Sequence, residues 1–115
     1  MSGPLEGVRV IDLTSVVLGP YATMLMGDMG ADVIKVEAPD GDTTRTTGPS
    51  RNEGMACTFL TSNRNKRSVV LDLKQPSARA ALQTLIDGAD VFVHSIRPQA
   101  VARLGFSPEE VLKRN

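Results

Sequence analysis

Aromatic residues and an excess of charge are what this sequence most clearly lacks. Its 115 residues include no tryptophan, and aromatic side chains make up 3% of the total. Proteins that hold single-stranded nucleic acids stack the bases on such side chains, so this composition argues against that class. Lys and Arg together number 13, as do Asp and Glu, and the formal net charge is zero. We therefore do not expect nucleic acid as a partner, since nucleic-acid-binding domains carry a basic surface.

Cysteine and long apolar runs are also scarce. Cys57 is the one cysteine, which excludes an intrachain disulfide and leaves no neighbouring ligands at the spacing of a metal site. No apolar run approaches the roughly 18 residues that cross a membrane, and residues 1–9 lack the basic and apolar regions of a signal peptide. We expect a cytoplasmic protein that binds neither a metal nor a membrane, because a reducing cytosol suits a single free thiol.

The residues that are present predict an α/β fold in a single domain. Short β-branched segments alternate with segments of helical pattern, and glycine and proline separate them. The predicted strands are 8–13, 32–37, 68–73 and 91–93. The predicted helices are 21–29, 76–86, 99–104 and one opened by Ser107 and Pro108, with a short helix or turn within 55–62. This alternation predicts a mostly parallel sheet flanked by helices, whose ligands bind where the strands end.

The segment after the first predicted strand lacks the usual signature of dinucleotide binding. Strand, loop and helix follow one another as in half of a dinucleotide-binding fold, yet residues 14–20 contain one glycine and the apolar run Val16, Val17 and Leu18. Such a turn cannot bring its backbone close to a pyrophosphate, which argues against NAD although Glu37 stands where a ribose-binding acid would. The apolar run has two interpretations. Its side chains either pack onto the sheet or form an apolar wall for the pantetheine arm or adenine of a ligand.

A basic loop precedes the third predicted strand. Residues 63–68 read Asn-Arg-Asn-Lys-Arg-Ser and lead into an apolar segment that ends at Lys74, so we expect this loop to hold an anionic ligand at the edge of the sheet. The candidate cations, which otherwise form a solvated face, are Lys66, Arg67, Lys74, Arg97 and Arg103. Lys74 and Arg103 are the stronger candidates because each follows an apolar element and reaches back towards the strand ends. Lysine and arginine are the side chains that bind phosphates well.

No arrangement of residues at catalytic spacing is present. His94 is the one histidine and follows a predicted strand, but no carboxylate or serine stands at motif spacing from it. A triad is therefore not predicted, and we expect a structural or rim position for His94. We assign no catalytic residue within this chain.

Together these segments resemble the amino-terminal part of family III coenzyme A transferases, the group that includes formyl-CoA transferase, carnitine CoA-transferase and α-methylacyl-CoA racemase. The matching segments follow family order and cover nearly the whole chain; they are 4–13, 19–20, 25–37, 65–68, 71–74, 89–91, 97–98 and 103–105. Each segment is weak evidence, but the set is specific. The resemblance implies that residues 1–115 form an amino-terminal, Rossmann-like segment that binds coenzyme A and is a truncated part of a larger family fold.

The resemblance also implies which residues meet coenzyme A. Contacts to its nucleotide and phosphates would come from Val16, Val17, Leu18, Leu71, Lys74, Ser95, Ile96, Arg97 and Arg103. Two positions depart from the family pattern. Ala38 stands where some members place an arginine against the adenine, and Ser95-Ile96 replaces a frequent Asn-Phe pair. The resemblance therefore predicts no adenine contact at Ala38 and leaves the contacts of the Ser95-Ile96 pair open.

By the same resemblance, the parent function is transfer of coenzyme A between an acyl-CoA and a carboxylic acid, in a homodimer. In the transferases an aspartate beyond the matched region attacks the thioester, and in the racemases a His and Asp pair, also farther along, moves a proton. No residue here matches either set, so we expect a fragment that is inactive alone. The alternatives are part of a 2-methylacyl-CoA racemase, or a non-catalytic module that binds coenzyme A or associates with itself through open sheet edges.

Overall fold

Four β-strands alternate with five α-helices in the computed structural model, which describes residues 2–115. The elements, in chain order, are β1 Arg9–Leu13, α1 Leu18–Asp28, β2 Asp32–Glu37, α2 Cys57–Ser62, β3 Lys66–Val70, α3 Pro76–Asp87, β4 Val91–His94, α4 Pro98–Arg103 and α5 Pro108–Arg114. A short 3₁₀ turn, Thr43–Thr46, lies in the long connection between β2 and α2. Of these described helices, none has the length and apolar character needed to cross a membrane.

The strands form one parallel sheet in the order β3-β2-β1-β4. In the centre, the register pairs Val10 with Val33 and Ile11 with Ile34. Parallel neighbours need crossover connections, and α1 provides the connection from β1 to β2. All four strands end at the same edge of the sheet. The arrangement confirms the α/β fold with a parallel sheet and flanking helices that the sequence predicted.

One face of the sheet packs against an apolar core. Ile11, Ile34 and Val36 point to this face and are at most 9% exposed. The buried side chains that cover them come from α3, α4 and the segment before α5; they are Leu82, Ile86, Val101 and Phe106. Each fully buried side chain of this kind contributes roughly 1.5–3 kcal/mol to the free energy of unfolding. This layer therefore fixes the strands whose ends form the candidate site.

The opposite face of the sheet is charged as well as apolar. Val10 and Val33 form a small apolar cluster near the strand beginnings, against which Met26 of α1 packs. The following residues on this face include Asp12 and Lys35, which are at most 1% exposed. Because successive side chains of a strand alternate between the faces, Val33, Lys35 and Glu37 of β2 share this face, whereas Ile34 and Val36 point to the apolar core. Buried charges of this kind require partners; the partner of Asp12 is Lys66 at the start of β3, and the partner of Lys35 is Asp42 in the loop after β2.

The third strand lies earlier in the chain than the predicted 68–73. Its partner β2 ends at Glu37, and the last rung is the Leu71 N–H, which donates to the Glu37 carbonyl oxygen at 2.9 Å. Asp72 then opens a turn, since its carboxylate accepts the Lys74 N–H at 3.2 Å. The predicted bounds 68–73 were therefore wrong at both ends, because β2 pairs with the chain from Lys66 onward and offers no partner beyond Leu71.

The start of α5 agrees with its sequence signals, whereas α1 begins earlier than predicted. Ser107 caps α5 as predicted, because its Oγ accepts the Glu110 N–H at 3.3 Å, and Pro108 occupies the first turn. The first helix begins at Leu18, earlier than the predicted range 21–29. Proline fits the first turn of a helix, where its missing N–H is not needed, so Pro20 does not mark the boundary itself.

Candidate ligand-binding site

A cleft of about 470 Å³ lies at the edge where the strands end. Segments that follow all four strands contribute to its walls. The apolar lining includes Leu13, Val36, Ala38, Leu71, Leu73, Ile96 and Leu104. The polar lining includes Thr14, Ser15, Lys35, Glu37, Asp42, Asp72 and Lys74. This is the position in which parallel α/β sheets hold their ligands, and its mostly apolar walls with a few polar groups are typical of small-molecule sites.

The structure brings three of the nine predicted contact residues into the cleft walls, and they are Leu71, Lys74 and Ile96. Ser95 is beside the cleft, because its Oγ accepts the N–H of the lining residue Ser15 at 3.3 Å. The remaining five are exposed and lie outside the walls; they are Val16, Val17, Leu18, Arg97 and Arg103. Contact of these nine residues with a ligand stays a prediction.

Three of the candidate cations are free of acidic partners. Within residues 2–115, Lys74, Arg97 and Arg103 form no salt bridge. Lys74 is exposed and belongs to the cleft lining. Arg97 directly precedes α4 and Arg103 ends that helix, next to the lining residue Leu104. An anionic group in the cleft would therefore meet Lys74 first.

The basic loop at residues 63–68 does not lie at the ligand edge. Residues 63–65 precede β3 and residues 66–68 form its first half, so the segment starts at the opposite edge of the sheet, where the parallel strands begin. Its cations are also occupied by acids of the same chain: Arg64 pairs with Asp28 at 2.6 Å, and Arg67 pairs with Asp32 at 2.8 Å. These contacts argue against the expectation that this loop holds an anionic ligand.

The lysine of that loop is buried in a different pair. Lys66 Nζ lies 3.0 Å from the carboxylate of Asp12, and both side chains are at most 2% exposed. Lys66 also donates to the Pro20 carbonyl at 3.0 Å, while Asp12 accepts the Thr23 hydroxyl at 2.6 Å. Burial lowers the pKa of Lys66, and the neighbouring Asp12 opposes that shift. The pair ties the start of α1 to the sheet and is a structural contact.

A second buried pair lies directly beside the cleft. Lys35 Nζ donates to the Asp42 carboxylate at 3.0 Å, and both side chains are 1% exposed. The same Nζ donates to the Thr14 carbonyl at 3.1 Å. Burial alone raises the pKa of Asp42, but hydrogen bonds from the Thr44 amide and from Lys35 outweigh it and hold the pKa below its ordinary value. Asp42 is therefore a charged group that joins β2 to the loop after it.

Both carboxylate oxygens of Glu37 accept hydrogen bonds from the guanidinium of Arg45. Arg45 Nε donates to Oε1 at 2.8 Å and Nη2 donates to Oε2 at 2.7 Å, while the guanidinium lies 3.8 Å from the ring centre of Phe59. Burial raises the pKa of Glu37, but the hydrogen bonds from Arg45, Ser68 and the Asp42 amide outweigh it and lower the pKa to about 2. A carboxylate held in this way cannot accept the hydroxyls of a ribose, which gives a structural reason against NAD.

The loop after β1 has an unusual backbone at Val16. Its φ angle is 73°, in the left-handed region. A β-branched residue is rarely found there, and such a conformation costs about 1–3 kcal/mol. The Val16 N–H donates to Asp42 Oδ1 at 3.3 Å, and the side chain is 49% exposed. This exposure argues against the interpretation in which the apolar run packs onto the sheet.

His94 has a structural position, as the sequence predicted. It ends β4, where Nδ1 accepts the Ile96 N–H at 3.1 Å and the ring packs beside Phe92. This bond shapes the turn that brings Ile96 into the cleft. Nowhere in residues 2–115 do three His, Cys, Asp or Glu side chains come together as metal ligands would.

Sequence reasoning missed Lys35, Asp42 and Arg45. The strand 32–37 contains Lys35 and Glu37 two positions apart, which places both charged side chains on one face. Charges at buried strand positions require partners, and the acidic and basic residues of the following loop were the available ones. That combination was the signal for the paired groups beside the cleft.

Comparison with known proteins links this geometry to a family. A sequence profile described as CoA-transferase family III matches residues 5–115. The chain is 44% identical over 111 residues to succinyl-CoA:glutarate CoA-transferase of Mus musculus, an alignment covering 96% of this chain and 26% of that protein. It is also 44% identical over 114 residues to acetyl-CoA:oxalate CoA-transferase of Acetobacter aceti, covering 98% of this chain and 29% of that protein.

The fold has a solved counterpart. A CAIB/BAIF family protein from Brucella suis superimposes with a TM-score of 0.94 at 35% sequence identity, covering 100% of this chain and 32% of that one. The chain therefore spans between a quarter and a third of the length of these proteins.

Proposed function

Because the chain belongs to CoA-transferase family III, as its sequence resemblance predicted, we propose that it supplies the coenzyme A-binding part of an acyl-CoA:carboxylate CoA-transferase. The ligand would occupy the cleft at the strand ends, with Leu71 and Ile96 against its apolar parts and Lys74 beside a phosphate. Val16, Val17 and Leu18 would meet the ligand as it leaves the cleft.

The observation that carries this proposal is the combination of an apolar cleft with an unpaired lysine in its lining. Coenzyme A joins an adenine to a 3′-phosphate and a pyrophosphate, so it needs both an apolar surface and cations. Lys74 is the lining lysine that forms no salt bridge in the described part of the chain, whereas Lys35 is held by Asp42. Ser95, Arg97 and Arg103 complete the proposed contacts around the mouth.

Transfer of coenzyme A is favoured over racemisation by the names of the relatives. The two reported above are transferases that act on acyl-CoA and carboxylate partners, which supports acyl-CoA and carboxylic acid as the substrate classes of the parent enzyme. We assign no catalytic role within this chain. The buried acids beside the cleft, Glu37 and Asp42, are held by Arg45 and Lys35, which supports a chain that is inactive by itself.

Self-association is a second proposal, and it has its own observation. β3 and β4 are the outer strands of the sheet, and strand edges of this kind pair readily with other chains. We propose a homodimer in the cytoplasm, where the thiol of Cys57 stays reduced. Sedimentation equilibrium would detect the dimer, and a monomer at every accessible concentration would contradict it.

Calorimetric titration with coenzyme A and with its form lacking the 3′-phosphate tests the binding proposal. We expect saturable binding that weakens at least about tenfold without this phosphate, and at least about tenfold in Lys74→Gln, since a charge-assisted phosphate contact is worth about 1.5–3 kcal/mol. Lys113→Gln is the matched control, because Lys113 is an exposed lysine of α5. Equal affinity of the two variants would remove Lys74 from the site.

A further inference from the structure

We infer that Asp42 is a positioning residue, which together with Lys35 holds the loop of residues 14–16 in the conformation that the ligand meets. The inference rests on the proposed coenzyme A function for the identity of the ligand. The loop itself can be measured without any ligand. Asp42 and Lys35 act through the backbone groups of this loop, so neither side chain needs to touch the ligand.

In each of three consecutive loop residues, one backbone group forms a hydrogen bond with a side chain from outside the loop. The Thr14 carbonyl accepts from Lys35 Nζ at 3.1 Å. The Ser15 N–H donates to Ser95 Oγ at 3.3 Å. The Val16 N–H donates to Asp42 Oδ1 at 3.3 Å. The loop is therefore fixed by β2, by the segment after β2 and by the turn after β4, which are three separate walls of the cleft.

Asp42 is itself held rigidly. Its Oδ1 accepts the Thr44 N–H at 3.0 Å and the Thr44 hydroxyl at 2.8 Å. Its other oxygen accepts from Lys35, and its own N–H donates to Glu37 Oε1 at 2.9 Å. A side chain with every polar group occupied cannot rotate away, so its contact with the Val16 amide is maintained.

The loop needs such a restraint because of Val16. Its positive φ angle of 73° is unfavourable for a β-branched residue and persists only where surrounding contacts over-determine it. Without Asp42 the loop would relax towards an ordinary extended conformation. The apolar residues Val17 and Leu18 follow directly, so their position at the start of α1 depends on this restraint.

Stability alone does not explain a buried ion pair at this place. Removing two charges from water is unfavourable, and apolar residues of the same volume often give an equally stable protein. Asp42 and Lys35 are 1% exposed. The geometry that they impose on Thr14 and Val16 accounts for the presence of the pair.

The test compares two variants that each lack both buried charges. Lys35→Met/Asp42→Asn keeps an oxygen that accepts the Val16 N–H, whereas Lys35→Met/Asp42→Ala does not. We expect the Val16 amide to exchange its hydrogen about tenfold faster in the alanine variant than in the asparagine variant, and coenzyme A to bind it about tenfold more weakly. The Ile11 amide in the centre of β1 should exchange equally in both, which separates loop release from general unfolding.

Adding Val16→Gly to the alanine variant should raise its midpoint of thermal unfolding, because glycine adopts a positive φ angle without steric strain. Equal Val16 exchange in the two charge-free variants, or no rise of the midpoint with glycine, would overturn the inference. Arg67→Met/Asp32→Asn is the control, since it removes an exposed pair at the other end of β2 and should leave Val16 exchange unchanged.

The inference can still be tested if the alanine variant does not fold or if the chain binds no coenzyme A. If the alanine variant does not fold, Val16→Gly in the unaltered chain should raise the midpoint of thermal unfolding, and a lower midpoint would show that Val16 is not strained. If the unaltered chain binds no coenzyme A, the proposed function fails, and the exchange rates alone then decide whether Asp42 positions the loop.

Discussion

Arg45 donates two parallel hydrogen bonds to Glu37, from Nε to Oε1 at 2.8 Å and from Nη2 to Oε2 at 2.7 Å. The carboxylate is 3% exposed and stands at the end of β2, the position from which a strand-end acid binds ribose in dinucleotide folds. In this chain the carboxylate is instead paired with Arg45. The pair connects β2 to the 3₁₀ turn that Asp42 caps and thereby supports one wall of the cleft.

Loss of Arg45 should destabilise the fold. Arg45→Met leaves the buried Glu37 without a counter-charge, and removing one partner of a buried pair costs about 3 kcal/mol. Denaturation by urea would measure the loss. Arg51→Met is the control in the same connection, because Arg51 is exposed, and its effect should stay within about 0.5 kcal/mol. Similar losses in both variants would show that the contact with Glu37 contributes nothing.

Glu37 also predicts how stability responds to acid. Its pKa is about 2 in the folded chain, against an ordinary value of 4.5, so between these pH values the folded state binds fewer protons than the unfolded state. The stabilisation is complete above about pH 4.5 and disappears as the pH falls towards about 2, a change of about 3 kcal/mol.

Glu37→Gln isolates this contribution from those of the other carboxylates. We expect the variant to lose about 3 kcal/mol less than the unaltered chain between about pH 5 and about pH 2. Urea denaturation at a series of pH values would measure the difference. Identical pH slopes for the two proteins would mean that the folded pKa of Glu37 is not lowered.

Substitution of Lys66 should reduce the free energy of unfolding far more than substitution of its neighbour Arg67. Lys66→Met leaves Asp12 buried without its counter-charge, for which we expect a loss of about 3–5 kcal/mol. Arg67→Met removes an ion pair in which Arg67 is 65% exposed, and exposed pairs contribute about 0–1 kcal/mol. Thermal or urea unfolding of the two variants measures both. A loop that served a ligand instead of the fold would give small losses at both positions.

An arginine at position 38 should increase the affinity for coenzyme A. Ala38 is exposed and lines the cleft, at the position where the family resemblance implies an arginine against adenine in some members. Ala38→Arg should tighten coenzyme A binding about threefold to tenfold, because an arginine stacked on an aromatic ring contributes about 0.5–1 kcal/mol or more. Thr84→Arg in α3 adds the same charge elsewhere and is the control. An equal gain from both would point to general attraction of an anion.

The fold was largely predictable because its signals are local. The strand 32–37 was predicted with its observed bounds, since an apolar β-branched segment lies between Gly30 and Pro39. β3 was misplaced because its end is set by the end of β2, a partner distant in sequence. Composition alone does not reveal such a limit.

The candidate site was less predictable for the same physical reason. Residues 71, 74 and 96 follow strands, and the general rule for parallel sheets places them at the ligand edge. The pairing of Lys66 with Asp12 and of Lys35 with Asp42 depends on which side chains face each other across the sheet. A list of cations in a sequence does not separate those that hold the fold from those that are free to meet a ligand.

The most direct test of the account is a map of amide chemical shifts during titration of the isotopically labelled chain with coenzyme A. We predict shifts for residues 71–74 and 96, together with Val16, Val17 and Leu18, and none for the basic loop at 63–68 on the opposite edge. Shifts confined to residues 63–68, or no shifts at saturating coenzyme A, would contradict it.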